Sequence, residues 1–417
     1  EKDRGDTMQL ITSLDVGNEE IKVIVASAYN NKCHVLASTS IRSSGIKKNT
    51  IYNDRKLRET IKLAITKTEE KISMKIKEVI LLIPATTSKM TIETGLVDVR
   101  DGVVRGEDIK RALTDAKNDS YADDREFVSA LPISFTVDDN LSVSNPIGEE
   151  GEKLFVKAVI STSLKSEIYP LIQLVSSLGI SIVDIVHKSQ ADYYAINNSS
   201  LDRKLGCIIN LGGDVTTVSI FNKGIMIKNS YIPLGSSSVD KDIAFVYKVP
   251  IKTARHLKET FALAVPRYAD KYDSVDVENE EKKKITINQT EISKVIESRL
   301  NEILKLAKNE INRLTKREIS YIIIVGGISE LAGFNYIVED VLGRNAYCLN
   351  MQEMGARHNK YTSAFGATQY FYKKCLLQEE DISCFPSEMA SVFLSPKKRS
   401  TGNENMVHRF LHHFYDK

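Results

Sequence analysis

The sequence is poor in the residues on which metal-held and disulfide-held folds depend. Its 417 residues include no tryptophan and only five cysteines. The cysteines are odd in number and scattered, without a Cys-x-x-Cys pair or a histidine at metal-ligand spacing. These features exclude a structural zinc site and a disulfide framework, and they favour a reduced, cytoplasmic protein.

Long apolar runs and an excess of charge of one sign are missing as well. No run approaches the roughly 20 residues that a membrane span requires, and there is no signal-peptide core. Residues 1–7 precede Met8 and are expected to be a leader outside the fold. Because 57 basic side chains stand against 55 acidic ones, for a net charge of +2, no nucleic-acid partner is expected.

What the sequence does contain is an alternation of strand and helix patterns. β-rich runs broken at Gly17-Asn18 and Asn30-Asn31 predict a meander of three strands. An apolar stripe within 57–68 predicts a helix, which the strand at 79–83 follows. Over 85–163 several short strands and one helix predict an inserted subdomain.

The α/β pattern then resumes. Helices are predicted at 164–178, 188–197, from about 238, and at 290–314, with strands at 181–186, 207–211 and 321–325 and a hairpin reaching 227. The charged stretch 270–286 is expected to be a solvated loop or an exposed hairpin.

Three glycine turns stand at the ends of predicted strands: LDVGN at 14–18, NLGGD at 210–214 and VGGIS at 325–329. Each alone is explained as an ordinary strand-ending turn. Together they indicate a polyphosphate site, because turn amides bind anions and glycine lets the backbone approach a phosphate closely. Asp15, beside the first turn, is the carboxylate expected to hold Mg²⁺ directly or through water.

The order of these turns resembles the actin-like ATPase superfamily, in which two phosphate hairpins precede an adenosine-contacting Gly-Gly turn. Within it, the segment 95–117 and Pro146-Ile147-Gly148 resemble subdomain 1C of the bacterial cell-division FtsA family. IPLGSSSVDKDIA at 232–244, TARHLKETF at 253–261 and YTSAFGA at 361–367 continue the similarity. The resemblance implies an α/β, two-lobed actin-like (ribonuclease-H-like) fold with an inserted subdomain 1C.

The resemblance also implies domain boundaries and a nucleotide site for ATP and Mg²⁺. The boundaries are subdomain 1A at 8–84, 164–205 and 351–377, subdomain 1C at 85–163, subdomain 2A at 206–244 and 317–350, subdomain 2B at 245–316, a linker at 378–404 and an amphipathic helix at 405–417. The implied nucleotide-binding residues are Asp15, Gly17, Asn18, Asn210, Gly212, Gly213, Asp214, Gly235, Lys258, Gly326, Gly327 and Ile328.

Departures from the family pattern concentrate in this site. Asn210 stands where the family has Asp, and Lys188 or Gln190 occupies the slot of a catalytic Glu or Gln. The further departures are Glu19, Glu20, Asp214, Thr217, Arg255 and Ile328. We therefore expect the pocket to be kept and hydrolysis to be impaired, at most a very weak ATPase, with no catalytic residue assigned. A vestigial, empty cleft is the alternative, because the added carboxylates place negative charge near the phosphates.

The stretch MVHRFLHHFYDK repeats apolar residues at helical spacing behind the polar linker. We expect it to bind anionic membranes, and docking on the protein's own core is the alternative. The residues expected at the membrane are Met406, Val407, Arg409, Phe410, Leu411, Phe414 and Tyr415.

The function implied by the resemblance is that of a cell-division adaptor. It would tether filaments of the tubulin-like protein FtsZ to the cytoplasmic face of the membrane at the division site, polymerise with itself and recruit later division proteins. Arg299, Asn301 and Lys305 are the candidates for receiving the FtsZ carboxy-terminal peptide. Alternatives are an actin-superfamily ATPase or kinase, or a PilM-like pilus-assembly protein.

Overall fold

Two five-stranded sheets form the centres of two lobes in the computed structural model, which describes residues 8–385 apart from 118–120, 139–141 and 197. In chain order the strands are β1 Gln9–Val16, β2 Glu20–Tyr29, β3 Lys32–Arg42, β4 Ile46–Lys47, β5 Thr50–Ile51, β6 Glu78–Ile83, β7 Lys89–Asp98, β8 Arg125–Val137, β9 Lys153–Leu164, β10 Ser181–His187, β11 Leu205–Leu211, β12 Thr216–Asn222, β13 Ile225–Ile232, β14 Ser274–Glu278, β15 Lys284–Asn288, β16 Tyr321–Val325 and β17 Ala346–Cys348. The helices are α1 Asp54–Ile72, α2 Gly106–Ala116, α3 Lys165–Ser176, α4 Lys188–Ile196, α5 Ser236–Tyr247, α6 Ile251–Thr260, α7 Gln289–Leu314, α8 Phe334–Leu342 and α9 Thr362–Leu377.

The two large sheets share one topology. The first has the order β10-β6-β1-β2-β3 and the second the order β17-β16-β11-β12-β13. In each, the central strand pairs antiparallel with the strand that follows it and parallel with a strand on its other side. The turns after β1 and β11 therefore occupy equivalent places in the two lobes.

The first lobe follows the sequence pattern closely. Its three-stranded meander turns at Asn30 and Asn31, which adopt φ values of 49° and 59°, a conformation that asparagine tolerates well. Helix α1 begins where the Asn53 side chain accepts from the Lys56 amide, and it buries the apolar stripe predicted within 57–68. The predicted meander and helix are both confirmed.

The insertion after β6 contains three strands in the order β7-β9-β8 and the helix α2. Strands β7, β8 and β9 have 10, 13 and 12 residues, so the expectation of several short strands is wrong. Long strands form because the apolar residues of β8 and β9, Phe135 and Val156 among them, pack on Ile109 of α2. Helix and sheet approach closely, since a Cβ at Gly95 would lie 2.1 Å from the Ala112 carbonyl oxygen.

Helices α5, α6 and α7 cover the second sheet, and the buried stripe of α7 includes Ile292, Leu300 and Ile311. The charged stretch 270–286 contains β14 and most of β15, which form an exposed hairpin. This hairpin is one of the two alternatives that the sequence predicts, whereas α8 and β17 are not predicted.

Helix α9 returns the chain to the first lobe and packs on α4. The two helices nearly touch, since a Cβ at Gly366 would lie 1.8 Å from the Ala191 carbonyl oxygen. Residues 378–385 continue to pack there: the Cys384 amide donates to the Leu10 carbonyl at 2.8 Å, and Cys384 and Phe385 are buried. The linker boundary predicted at 378 is therefore too early by at least eight residues.

Candidate functional site

A cleft of about 470 Å³ lies between the two lobes and is walled by all three glycine turns. The first two turns close in the same way. The Gly17 amide donates to the Glu20 carbonyl and the Gly212 amide to the Val215 carbonyl, each at 3.1 Å. The equivalent turns of the two sheets thus form opposite walls of one cavity.

The third turn, after β16, requires glycine for two reasons. Gly326 has a φ of 102°, and a Cβ there would lie 2.4 Å from the Leu211 carbonyl oxygen at the end of β11. A side chain would therefore both strain the backbone and force β16 away from its neighbour. This contact holds the second and third turns at a fixed separation.

Glu19 projects from the first turn against the second. A Cβ at Gly213 would lie 2.0 Å from the Glu19 Cγ, so only glycine admits this side chain. The Glu19 carboxylate pairs with Arg42 at 2.9 Å and with Arg255 of the second lobe at 2.8 Å. Burial raises the pKa of Glu19, although Arg42 opposes the shift. One acidic side chain thus bridges the lobes between the two hairpin turns.

Asp15 lies deep in the cleft between two lysines. Its Oδ1 is 2.7 Å from the Lys188 Nζ and its Oδ2 is 3.3 Å from the Lys22 Nζ. Lys188 also donates to the Val16 carbonyl at 2.9 Å. Burial alone would raise the pKa of Asp15, but the two ammonium groups outweigh burial and hold that pKa below its usual value. Asp15 is therefore an ionised carboxylate with a cation at each oxygen.

Asn210 faces a buried carboxylate of the opposite lobe. Its amide Nδ2 donates to the Asp192 Oδ2 at 2.7 Å and to the Ser363 Oγ at 3.2 Å, and that hydroxyl donates to the Asp192 Oδ1 at 2.6 Å. Asp192 is completely buried, and burial raises its pKa to about 7 despite these donors. Asn210 therefore lies against a carboxylate of α4, Asp192, which accepts from one amide and one hydroxyl donor.

A second cluster of charged side chains lies in the cleft wall, where α6 meets α5. The Lys258 Nζ is 2.6 Å from the Asp240 Oδ1, and the Arg255 Nε is 2.9 Å from the Asp240 Oδ2. Burial raises the pKa of Asp240, with Lys258 opposing it. Two basic side chains of one helix are thereby fixed at the cleft wall.

Charge in the lining is nearly balanced: six lysine and arginine side chains meet five aspartate and glutamate side chains. Glu20, one of the added carboxylates, is 3.3 Å from the Lys360 Nζ. Asp214 accepts from the Ser237 hydroxyl at 2.7 Å and from the Lys48 amide at 3.3 Å. Basic side chains therefore offset the negative charge of Glu19 and Glu20, whereas the partners of Asp214 are neutral donors.

Two family models match this chain. The model for the cell division protein FtsA matches residues 207–366, and the model for the SHS2 domain inserted in FTSA matches residues 86–162. Together they cover more than half of the 417 residues. The chain belongs to the FtsA family. This assignment decides against the kinase and pilus-assembly alternatives at the level of the family.

Individual FtsA relatives align with this FtsA-family chain over most of its length. The cell division protein FtsA of Bacillus subtilis (strain 168) is 25% identical over 380 residues, which span 90% of this chain and 86% of that protein. The FtsA of Streptococcus pneumoniae serotype 2 is 24% identical over 364 residues, 86% of this chain and 79% of that protein.

Solved structures show the actin-like fold. The PilM-PilN type IV pilus biogenesis complex aligns with a TM-score of 0.58 and 14% identity, covering 87% of this chain and 98% of that chain. MreB 5 of Spiroplasma citri bound to AMPPNP aligns with a TM-score of 0.55 and 14% identity, covering 88% and 97%. The predicted fold class, an actin-like α/β protein with an inserted domain, is confirmed.

In this FtsA-family structure ten of the twelve predicted nucleotide residues line the cleft: Asp15, Gly17, Asn18, Asn210, Gly212, Gly213, Lys258, Gly326, Gly327 and Ile328. The other two support the second turn from behind. Asp214 bonds Ser237 at the start of α5, and a Cβ at Gly235 would lie 2.4 Å from the Gly213 carbonyl oxygen. Asp214 and Gly235 are not among the residues that line the cleft, and their contact with a nucleotide stays a prediction.

The two residues proposed for the catalytic slot, Lys188 and Gln190, lie in different surroundings. Lys188 enters the cleft, whereas the Gln190 side chain donates to the Gly224 carbonyl at 3.0 Å and accepts from the Met226 amide at 2.9 Å. Gln190 is thus held by the turn after β12, away from the cavity. Lys188 is the residue of α4 that reaches the cleft interior.

The donor set around Asp15 does not fit the predicted Mg²⁺. Magnesium prefers an octahedron of oxygen ligands, yet each Asp15 oxygen faces an ammonium group. Within the described residues no three His, Cys, Asp or Glu side chains form a metal-binding group. The other carboxylates nearby, Glu19 and Glu20, are paired with arginine and lysine side chains.

The candidate partner residues on α7 differ in availability. Arg299 is bound to Asp242 of α5 through its Nε at 2.6 Å and its Nη2 at 3.0 Å, and it also pairs with Glu302. It holds two helices together and is poorly placed to receive a peptide. Asn301 is half-buried and Lys305 is exposed.

The predicted membrane-binding residues, at 405–417, lie outside the described part of the chain, as do residues 1–7. Among the described helices, none combines the length and apolar character that crossing a membrane requires.

Lys22 and Asp192 are two site residues that the sequence motifs do not identify. A signal for Lys22 was present, because the β1–β2 hairpin register places it directly opposite Asp15, and cross-strand partners share a face. Asp192 gave no local signal, because its partners Asn210 and Ser363 are 18 and 171 residues away in sequence.

Proposed function

We propose that this FtsA-family protein tethers FtsZ filaments to the cytoplasmic face of the membrane at the division site and recruits later division proteins. The observation that carries the proposal is the family's inserted domain at 86–162 in the same chain as the amphipathic stretch 405–417. Partial burial of six apolar side chains of that stretch at about 25 cal/mol per Å² supplies binding energy. Arg409 and Lys397-Lys398-Arg399 favour anionic headgroups.

ATP occupies the interlobe cleft in this proposal. Three turns and two basic residues of α6, Arg255 and Lys258, surround a cavity large enough for a nucleotide. A neighbour of the same fold, MreB5 of Spiroplasma citri, is described as bound to ADP, at a TM-score of 0.54 and 13% identity. We infer that turn amides and α6 side chains hold the nucleotide between the lobes.

Hydrolysis is expected to be very slow. Asn210 has an amide where the family has a carboxylate, and that amide donates to Asp192. A carboxylate that orients and polarises the attacking water contributes about 10²- to 10⁴-fold to a rate. Without this carboxylate, ATP stays bound for longer before it is hydrolysed. The bound ATP therefore stabilises a closed, polymer-forming state for longer.

The same proposal includes a homopolymer and an FtsZ peptide site on the second lobe. Lys305 and Asn301 remain candidates for an acidic peptide, because Lys305 projects from α7 into solvent. Arg299 is better explained as a link between α5 and α7.

Sedimentation with vesicles tests the adaptor role. The full chain is mixed with anionic vesicles and FtsZ, with and without ATP, and FtsZ should enter the pellet only when this protein and vesicles are both present. Phe410→Glu should release the protein from vesicles, since it puts a charge into the apolar stripe. Phe245→Glu, at a described side chain that is 85% exposed on α5, is the matched control. Equal sedimentation of Phe410→Glu and the parent protein would rule out 405–417 as the anchor.

A further inference from the structure

Two lysines flank Asp15, the carboxylate that a metal-dependent nucleotide site would present to the ion. Lys22 enters from β2, directly opposite Asp15 in the hairpin register, and Lys188 enters from the first turn of α4. The exposed fractions of the three side chains are 14%, 4% and 19% for Lys22, Asp15 and Lys188. The group is built on two strands and a helix, so its geometry is set by the fold and not by flexible loops.

The three side chains carry one net positive charge at the floor of the cleft. An ammonium group has three N–H donors; that of Lys188 donates to the Val16 carbonyl and forms an ion pair with Asp15. Lysine binds phosphate as a point charge without a bridging ion. Lys22 and Lys188 both line the cavity with the two hairpin turns, so their charge is available to an anion seated between those turns.

A divalent cation would have to break this group before it could bind. To reach either Asp15 oxygen, Mg²⁺ must displace an ammonium that is 2.7 or 3.3 Å away. The displaced lysine would then be held, partly buried, beside a second positive charge. Asp192 offers no replacement ligand, since Asn210 and Ser363 donate to its two oxygens.

We propose that the Lys22–Asp15–Lys188 group takes the place of the Mg²⁺ ion, so that the cleft binds a nucleoside di- or triphosphate without a divalent cation. The inference rests on the proposed nucleotide binding and adds its metal independence. The lysine charges neutralise the phosphates, and Asp15 keeps both ammonium groups in position.

The test is nucleotide binding to the full-length chain by isothermal titration calorimetry, with ATP and with ADP, in buffer containing EDTA and then in excess Mg²⁺ at matched ionic strength. The dissociation constant of the parent protein for ATP in EDTA should be no more than about threefold higher than in Mg²⁺. Lys188→Gln should weaken ATP binding in EDTA by about tenfold or more, and Mg²⁺ should recover part of the loss because an Asp15 oxygen becomes accessible. Lys62→Gln, which removes the same charge from the exposed face of α1, should behave like the parent.

The EDTA arm on the parent protein decides the question even where Lys188→Gln does not fold. Binding of ATP in Mg²⁺ but not in EDTA would overturn the metal-independent site and leave the proposed nucleotide binding intact. Absence of ATP and ADP binding under both conditions would overturn the nucleotide proposal itself, and this inference with it.

Discussion

Replacing Asn210 by aspartate restores the family's residue, but the structure predicts a buried conflict. The Asn210 amide now donates to Asp192 and Ser363 at 2.7 and 3.2 Å. In Asn210→Asp, both donors are lost and a second carboxylate faces Asp192 at nearly contact distance. Asp192 cannot turn to water, because it has no exposed surface, and residue 210 can turn only into the cleft that it lines, which would end its contact with α4.

The size of this conflict follows from Coulomb's law. Two unit charges about 3 Å apart repel by roughly 5 kcal/mol at an effective dielectric constant of 20. The pair avoids this by retaining one proton, as closely spaced carboxylates do. Burial already raises the pKa of Asp192 to about 7, and a neighbouring carboxylate raises it further. We expect Asn210→Asp to lower the free energy of unfolding at pH 8.5 by about 2–4 kcal/mol, within the range for uncompensated buried charge.

The pH dependence has a definite sign. A carboxyl whose pKa is raised by folding binds more protons in the folded state, so its contribution to stability falls as pH rises from the unfolded to the folded pKa. In the parent this decline spans about pH 4 to pH 7, set by the Asp192 pKa of about 7. In Asn210→Asp it continues above pH 7. Urea unfolding at pH 6 and pH 8.5 should therefore show the larger deficit at pH 8.5.

The exchange variant Asp192→Asn/Asn210→Asp provides the control. It restores one amide and one carboxylate to the pair, so it should regain at least half of the lost stability. It also leaves an ionised carboxylate at 210, and ATP turnover should rise about tenfold or more, at the low end of general-base effects. Asn210→Asp alone should gain less, because its new carboxyl shares a proton. Equal stability of Asn210→Asp and the parent at pH 8.5, or a full gain in turnover without the exchange, would refute this account of the pair.

Three further predictions concern other parts of the molecule. Glu19→Gln should tighten ATP binding about three- to tenfold, roughly 0.7–1.4 kcal/mol, because it removes a carboxylate between the turns and releases Arg255; calorimetry showing equal or weaker binding would contradict this. Gly366→Ala should lower the free energy of unfolding by about 1–3 kcal/mol, because its Cβ would meet the Ala191 carbonyl oxygen; unchanged urea unfolding would argue against the tight α4–α9 contact. Vesicle binding should strengthen from pH 7.5 to pH 6, as the histidines within 405–417 gain charge, and weaken with salt; sedimentation independent of both would leave no electrostatic part in the attachment.

Much of the fold could be predicted because its signals are local. The meander, α1, α7 and the exposed hairpin follow from side-chain periodicity and asparagine or glycine turns within single segments. The three glycine turns could also be assigned to one site, because strand-ending glycine turns present amides that bind anions. The two-lobed arrangement is predicted from the family resemblance, because side-chain periodicity alone does not show how the two sheets are arranged.

The cleft's electrostatics could not be predicted from the same signals. Glu19 and Glu20 add negative charge in the linear sequence, but Arg255 and Lys360, more than 200 residues later, neutralise them. The role of residues 378–385 was likewise hidden, because a polar stretch with two buried residues near its end has no helical or strand period. Long-range ion pairs and docked irregular segments depend on tertiary geometry, which a single sequence specifies but does not display.

The paired charges also explain why the cleft can keep its shape while losing its chemistry. Water attack on a phosphate requires a carboxylate with a free oxygen facing the cleft, yet the oxygens of Asp15 and Asp192 face lysine, amide and hydroxyl donors. Those same contacts join β1 to α4 and α4 to β11, so they hold the cleft walls together. A substitution that freed Asp192 for catalysis would also loosen the contact between the lobes, and one that freed Asp15 would loosen β1 against α4 within the first lobe. Stability of the closed state and hydrolytic power therefore oppose each other at these positions, which suits a protein whose proposed task is to stay assembled on a membrane.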